Sequence, residues 1–183
     1  MPFFLCSQRP LIPRHSPTVR RKSSGFTLLE VMVVVAILGV LATLAGPSFG
    51  PLIERWRVRQ ATEDLQSTLY YARSEAIKRG GNVSIKAKTS KDWGSGWQVI
   101  SDNSGIDEVL QNTDAPTRVD ITRDDTTDDG ILALDRWGQF SSTQLIFRLF
   151  PQATSSSNAG ATALCIGIGG RIKRLSKGDG TCT

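Results

Sequence analysis

Three places in this chain carry side chains whose types and spacing suit chemistry. The first is Glu30, a lone carboxylate inside the apolar run GFTLLEVMVVVAILGVLATLA, Gly25 to Ala45. An ionised group in such a run costs roughly 2.5–3.5 kcal/mol on insertion scales, so it calls for a cationic partner. The second is the tail, where Arg171, Lys173, Arg174 and Lys177 follow Gly169-Gly170. Cations clustered this closely suit phosphate groups, or they solvate and protect an edge strand. The third is the pair Cys165 and Cys182, which either bridges or stays as two free thiols. The lone histidine, His15, and the third cysteine, Cys6, both precede the apolar run. Beyond that run there is no histidine for acid–base work, and no metal site built on His and Cys is expected. The expectation is a chain without cofactor that is not an enzyme.

These groups need elements to hold them. From Phe26 the apolar run covers about one membrane thickness, since ~20 helical residues cross the hydrocarbon core. Ahead of it stand Arg20, Arg21 and Lys22, then Ser23 and Ser24. A basic cluster, a Gly-Phe pair and an apolar helix with glutamate at its fifth position resemble the class III signal of type IV prepilins and type II secretion pseudopilins. The resemblance implies that a prepilin peptidase cuts after Gly25 and methylates the new amino-terminal Phe26. It implies that Glu30 pairs, in a filament of pilins or pseudopilins, with the amino terminus of a neighbour's Phe26. An uncleaved anchor would leave Glu30 unexplained. A secretory signal cut after Ala45 would not carry a glutamate so early in its apolar region.

Charge follows the same division. Residues 1–25 hold Arg9, Arg14, Arg20, Arg21 and Lys22 and no acid, which accounts for the whole formal charge of +5. The basic leader therefore reports topology rather than a nucleic-acid surface. It keeps that end in the cytoplasm and sends the head to the periplasm, with the span in the inner membrane. In that oxidising compartment Cys165 and Cys182 read as a disulfide.

The expected organisation is a leader over 1–25, a transmembrane and assembly half-helix over 26–45, a periplasmic half-helix over 46–79 and a β-rich head over 80–183. The fold class is α+β, a pilin fold: a long N-terminal helix, kinked at Gly46-Pro47 and Pro51, then an antiparallel sheet head. Ala61, Leu65, Leu69, Ala72 and Ala76 lie on one helical face. Arg55, Arg57 and Arg59 suit lipid headgroups or solvent. Gly80-Gly81 stops the helix. The segment QSTLYYARSEAIKRG, Gln66 to Gly80, resembles the FimT/GspH branch of the family.

Beyond it, strands are expected over 83–87, 92–100, 118–122, 131–134, 145–150 and 161–168, with a further strand after Gly169-Gly170 that puts Arg171 and Lys173 on one face. Turns are expected at Asp102–Gly105 and Gly138, and a flexible loop at 154–160. Trp93 and Trp97 suit core packing better than base stacking. Residues 92–135 hold eleven acids against two bases. Asp124, Asp125, Asp128 and Asp129 there suggest a solvated loop, with calcium as an alternative that no EF-hand spacing supports.

The tail resembles the Gly-Arg-x-Arg loop with which FimT-like minor pilins bind DNA. The match is Gly170, Arg171, Ile172 and Lys173, with lysine in place of the second arginine and Arg174 one position late. The resemblance implies a minor pilin or pseudopilin that binds DNA non-specifically through this loop for uptake. The alternatives are a GspH-like minor pseudopilin of a type II secretion system and a FimU-like subunit that primes pilus assembly.

Overall fold

The computed structural model describes residues 25–182 except 46–48, 104, 125–128, 142–143 and 168. The leader up to Ser24 and the expected kink at Gly46-Pro47 lie outside the described residues. The chain divides into two compact units after Thr43.

The first unit contains all but the last two residues of helix α1, Leu28–Ala45. Its start is set by Thr27, whose Oγ1 accepts a hydrogen bond from the Glu30 N–H at 3.2 Å. This is half of a capping box, a Thr-x-x-Glu signal, and it puts Glu30 in the first turn, where the helix dipole favours a carboxylate. Every described side chain from Phe26 to Thr43 is exposed. The 18 residues of α1 span about 27 Å at the helical rise, just short of a ~30 Å hydrocarbon core. Among the described residues no helix is both long and apolar enough to cross a membrane.

The second unit opens with helix α2, Gly50–Arg79. Pro51, expected from the sequence to mark a kink, lies in the first turn of α2. There its missing N–H costs no helical hydrogen bond and its fixed φ suits the start. The helix ends where Gly80 turns left-handed at φ 77°, and the Gly81 N–H closes on the Ala76 carbonyl at 2.8 Å. The core face includes the expected Ala61, Leu65, Leu69, Ala72 and Ala76, extended back by Val58; all are at most 2% exposed.

Two antiparallel sheets receive that face. The first contains β1 (Val83–Thr89), β2 (Asp92–Asn103), β3 (Ile106–Asp114) and β5 (Ile131–Leu134), in the order β3-β2-β1-β5. The second contains β4 (Val119–Asp124), β6 (Leu145–Pro151), β7 (Thr162–Ile166) and β8 (Ile172–Leu175), in the order β4-β6-β7-β8. Strand β3 has no counterpart among the expected strands. It is an edge strand with little buried surface, so its sequence lacks the alternation that marks a half-buried strand. The strand expected from Arg118 begins at Val119, because Arg118 has φ 57° and belongs to the preceding turn.

Trp93 and Trp97 are core residues. Trp93 meets Phe147 edge-on with ring centroids 4.9 Å apart. Trp97 donates from Nε1 to Thr68 Oγ1 on α2 at 3.1 Å. Both are buried, which removes them as a platform for bases. The loop 154–160, expected to be flexible, bonds to itself. The Asn158 N–H donates to the Ser155 carbonyl, and the Gly160 N–H donates to Asn158 Oδ1 at 2.7 Å.

Candidate functional site

Strand β8 carries Lys173 and Arg174, with Arg171 just before it and Lys177 beyond it, and its pairing sorts the two by face. Cys165 lies opposite Lys173 and Leu164 opposite Arg174. Directly paired residues share a face of a sheet. Lys173 therefore stands on the side of the disulfide and Arg174 on the side of Leu164, which is in the core under α2. Arg174 reaches Glu63 of α2 at 3.5 Å. The sequence left Arg174 with the other cations only if the strand ended or bulged there. The strand runs on to Leu175, so Arg174 is separated from them. Arg171 and Lys173 share a shallow niche of about 110 Å³ with Gln144, Cys165 and Cys182. Lys177 is exposed beyond the end of β8. Among the described residues, Arg171, Lys173 and Lys177 have no ion-pair or hydrogen-bond partner for their side-chain nitrogens.

Three devices hold the backbone beneath these cations. The Cys165–Cys182 disulfide is formed, across a sequence separation of 17. Arg148 on β6 donates to the carbonyls of Gly178 and Gly180 and pairs with Asp124 at 2.6 Å. Arg73 on α2 spans two turns. It donates from Nε to the Gly138 carbonyl at 2.9 Å and from Nη1 to the Gly170 carbonyl at 2.6 Å, with Nη2 3.4 Å from the Gly169 carbonyl. Gly169 and Gly170 both have positive φ, as the tight turn read from the sequence requires. A Cβ on Gly170 would lie 2.7 Å from Arg73 Cζ. Glycine is thus needed here twice, for its φ and for the close approach of the guanidinium. Arg73 is the functional residue that sequence reasoning missed. It lies inside the QSTLYYARSEAIKRG segment, whose family resemblance gives no role to this arginine.

Between the C-terminal end of α2 and the first sheet the polar groups satisfy one another. Glu75 accepts from Arg79 at 2.9 Å and from Lys78 at 3.3 Å, and these bonds, Arg79 first, hold its carboxyl below the ordinary range. Arg79 also pairs with Glu108 at 2.7 Å. Lys86 pairs with Asp107 at 2.8 Å and Lys88 with Asp114 at 2.6 Å. Part of the acidic block read as unbalanced along the sequence, the acids of β3, is thus paired across the sheet with bases from other elements. In the suggested calcium loop, Asp125 and Asp128 lie outside the described residues. Asp124 is engaged by Arg148, and Asp129 accepts from the Ile131 N–H. Among the described residues no group of carboxylates, histidines or cysteines is arranged to hold a metal ion. At the other end of the described chain, Gly25 and Phe26 precede α1 and are exposed, and the Glu30 carboxylate has no ion pair among the described residues.

Residues 61–175, well over half the chain, match the family model of type II transport protein GspH. This chain belongs to the GspH family. Residues 20–46, a stretch that includes Gly25, Phe26 and Glu30, match the prokaryotic N-terminal methylation motif. Among curated relatives of this GspH-family chain, a fimbrial protein of Pseudomonas aeruginosa is 38% identical over 72 residues, 39% of this chain and 46% of its own length. Type II secretion system protein H of Xanthomonas campestris pv. campestris is 34% identical over 73 residues, 39% of this chain and 43% of its own. The alignments thus span a little under half of these relatives. Among solved structures, the type IV minor pilin FimU of Pseudomonas aeruginosa superposes with a TM-score of 0.56 at 28% identity, covering 67% of this chain and 90% of FimU. The α+β pilin fold expected from the sequence is thereby shown, and the chain is of the minor pilin and pseudopilin type.

Proposed function

We propose that this chain is a filament subunit rather than an enzyme, and that it binds duplex DNA without sequence preference through Arg171, Lys173 and Lys177. The observation that carries the DNA reading is the contrast between these three cations and their support. The backbone beneath them is held by Arg73, Arg148 and the disulfide, while their own charges have no partner among the described residues. An ordered cationic edge suits phosphates, because charge and preorganisation supply the affinity. No aromatic residue lies between Cys165 and Cys182, so stacking adds nothing and binding per head is weak. With two or three contacts, log K falls with log salt at a slope of about −2 to −3 on duplex DNA.

In this reading prepilin peptidase removes residues 1–25 and methylates Phe26. The apolar α1 anchors the chain in the inner membrane until it joins other pilins or pseudopilins. Glu30 then pairs with the amino terminus of a neighbour's Phe26, a buried pair that fixes register more than it adds stability. Amino-terminal sequencing tests the first step: a mature chain beginning at Phe26 supports it, and one beginning at Gly46 removes it. Polarisation titration of the purified head at two salt concentrations tests the DNA step. No binding at low salt removes the DNA reading and leaves assembly alone.

The likeness to FimU favours a second reading, a subunit that primes pilus assembly. A deletion strain separates the two. Loss of transformation with intact piliation favours DNA uptake; loss of piliation favours priming. Loss of protein secretion alone favours the pseudopilin reading.

A further inference from the structure

The first two turns of α2 expose a surface that neither the core nor the tail uses. Phe49, Leu52, Ile53 and Trp56 are 53%, 61%, 46% and 63% exposed. Their spacing of three, one and three residues places them on one helical face. Val58, Ala61 and Leu65 face the sheets, and at 100° per residue the exposed stripe lies on the opposite side of the helix. Arg55 and Arg59 flank it on one side and Arg57 on the other. Among the described residues none of the three arginines has an ion pair or a side-chain hydrogen bond. Glu54 is the only acid between Phe49 and Gln60. Arg55 and Arg59 also line a groove of about 200 Å³ with Gly160, Ala161 and Arg174, which gives a headgroup phosphate a concave seat.

We propose that this surface binds anionic phospholipid. Phe49, Leu52, Ile53 and Trp56 enter the boundary between headgroups and acyl chains, and the flanking arginines hold the phosphates. Three observations favour lipid over a protein partner. An apolar stripe bordered on both sides by basic residues is the pattern of helices that lie in a membrane interface. Tryptophan, with an apolar ring and one N–H, settles at that depth. The stripe also begins only four residues after the apolar α1 ends at Ala45. A second copy of this chain fits less well at its acidic edge strand, because the β3 acids Asp107, Glu108 and Asp114 are already engaged by its own bases. The inference extends the reading of α1 as a membrane anchor to a second contact outside it.

The test uses the full chain reconstituted into vesicles of phosphatidylcholine alone or with phosphatidylglycerol, at a low protein-to-lipid ratio. Flotation reports anchoring. Tryptophan quenching by lipids brominated near the headgroup, compared between the wild type and Trp56→Phe, isolates the signal from Trp56. The expected result is a Trp56 signal that at least doubles with phosphatidylglycerol and loses that dependence in Arg55→Gln/Arg57→Gln/Arg59→Gln. Circular dichroism should not change, since the substituted side chains lie outside the core. A chain that floats while Trp56 stays unquenched overturns this proposal and leaves the anchor intact. Equal quenching in both vesicle types, or no effect of the triple substitution, also overturns it. Failure to float overturns both the anchor and the lipid surface. If the triple substitution instead abolishes DNA binding while Trp56 remains unquenched, the arginines belong to DNA and the proposal fails.

Discussion

The cations at the C-terminal end of α2 and those of the tail have similar chemistry and opposite situations. Arg73, Lys78 and Arg79 are committed to turn carbonyls and to carboxylates within the protein. Arg171, Lys173 and Lys177 stand in solvent a short way off, on a backbone that Arg73 itself helps to hold. A guanidinium that satisfies buried carbonyls contributes to stability, because its removal strands those carbonyls. A solvated cation contributes almost nothing to stability and remains available for a partner. The difference teaches that identical residue types divide into support and display, and that the support determines where the display points.

This division breaks down if the supporting groups prove dispensable. The largest effect is expected from Cys182→Ser. Opening a loop of this length should cost about 3 kcal/mol in the chain-entropy picture, read as a lower urea midpoint. Arg73→Ala should come next, at about 2 kcal/mol for the loss of a charged donor to the turn carbonyls. Hydrogen exchange should rise at Gly170, whose N–H donates to the Gly167 carbonyl. If Arg73→Ala leaves both stability and exchange unchanged, Arg73 is not a support.

Acid should act on the supporting end of α2 as well. Glu75 has its carboxyl held below its ordinary value of 4.5 by the bonds from Arg79 and Lys78, and Asp114 is held below 3.8 by Lys88. A depressed folded-state pKa contributes stability that is complete above the ordinary value and is lost as pH falls through the depressed one. Thermal melting should therefore decline below about pH 4.5, and Glu75→Gln should flatten that decline. Asp64 works in the other direction. Burial, aided by the neighbouring Glu63 charge, raises its pKa, so its contribution is present at low pH and fades as pH rises through the raised value.

The smallest stability effect is expected from Arg171→Gln with Lys173→Gln, within about 0.5 kcal/mol, because surface substitutions without partners rarely cost more. The same pair should reduce the magnitude of the DNA salt slope by about 2, one phosphate contact each. Arg174→Gln should leave the slope nearly unchanged, since Arg174 faces Glu63 on the helix side. An equal effect from Arg174 would merge the two faces that the register separates.

Much of this was legible in the sequence because it depends on neighbours along the chain. The spacing of Ala61, Leu65, Leu69, Ala72 and Ala76 sets a core face whatever packs on it. Gly80-Gly81 and Gly169-Gly170 mark their turns through φ alone, and the Gly-Phe-x-x-x-Glu register is a local signal. The faces of Arg171 and Lys173 followed from strand alternation once the turn was placed. Other features required residues far apart in sequence to meet. The edge strand β3 has no buried face to imprint a pattern. Arg73 contacts Gly170 across 97 positions, and the bases that pair with acids of the acidic block come from α2, β1 and β6. Arg174 was assigned to Glu63 by the register of β8 on β7 and by the position of α2 beneath the sheet. Local conformation is governed by each residue's own steric and hydrophobic preferences. Which charge is satisfied and which remains open depends on distance in space, and only the packing of α2 against both sheets sets those distances.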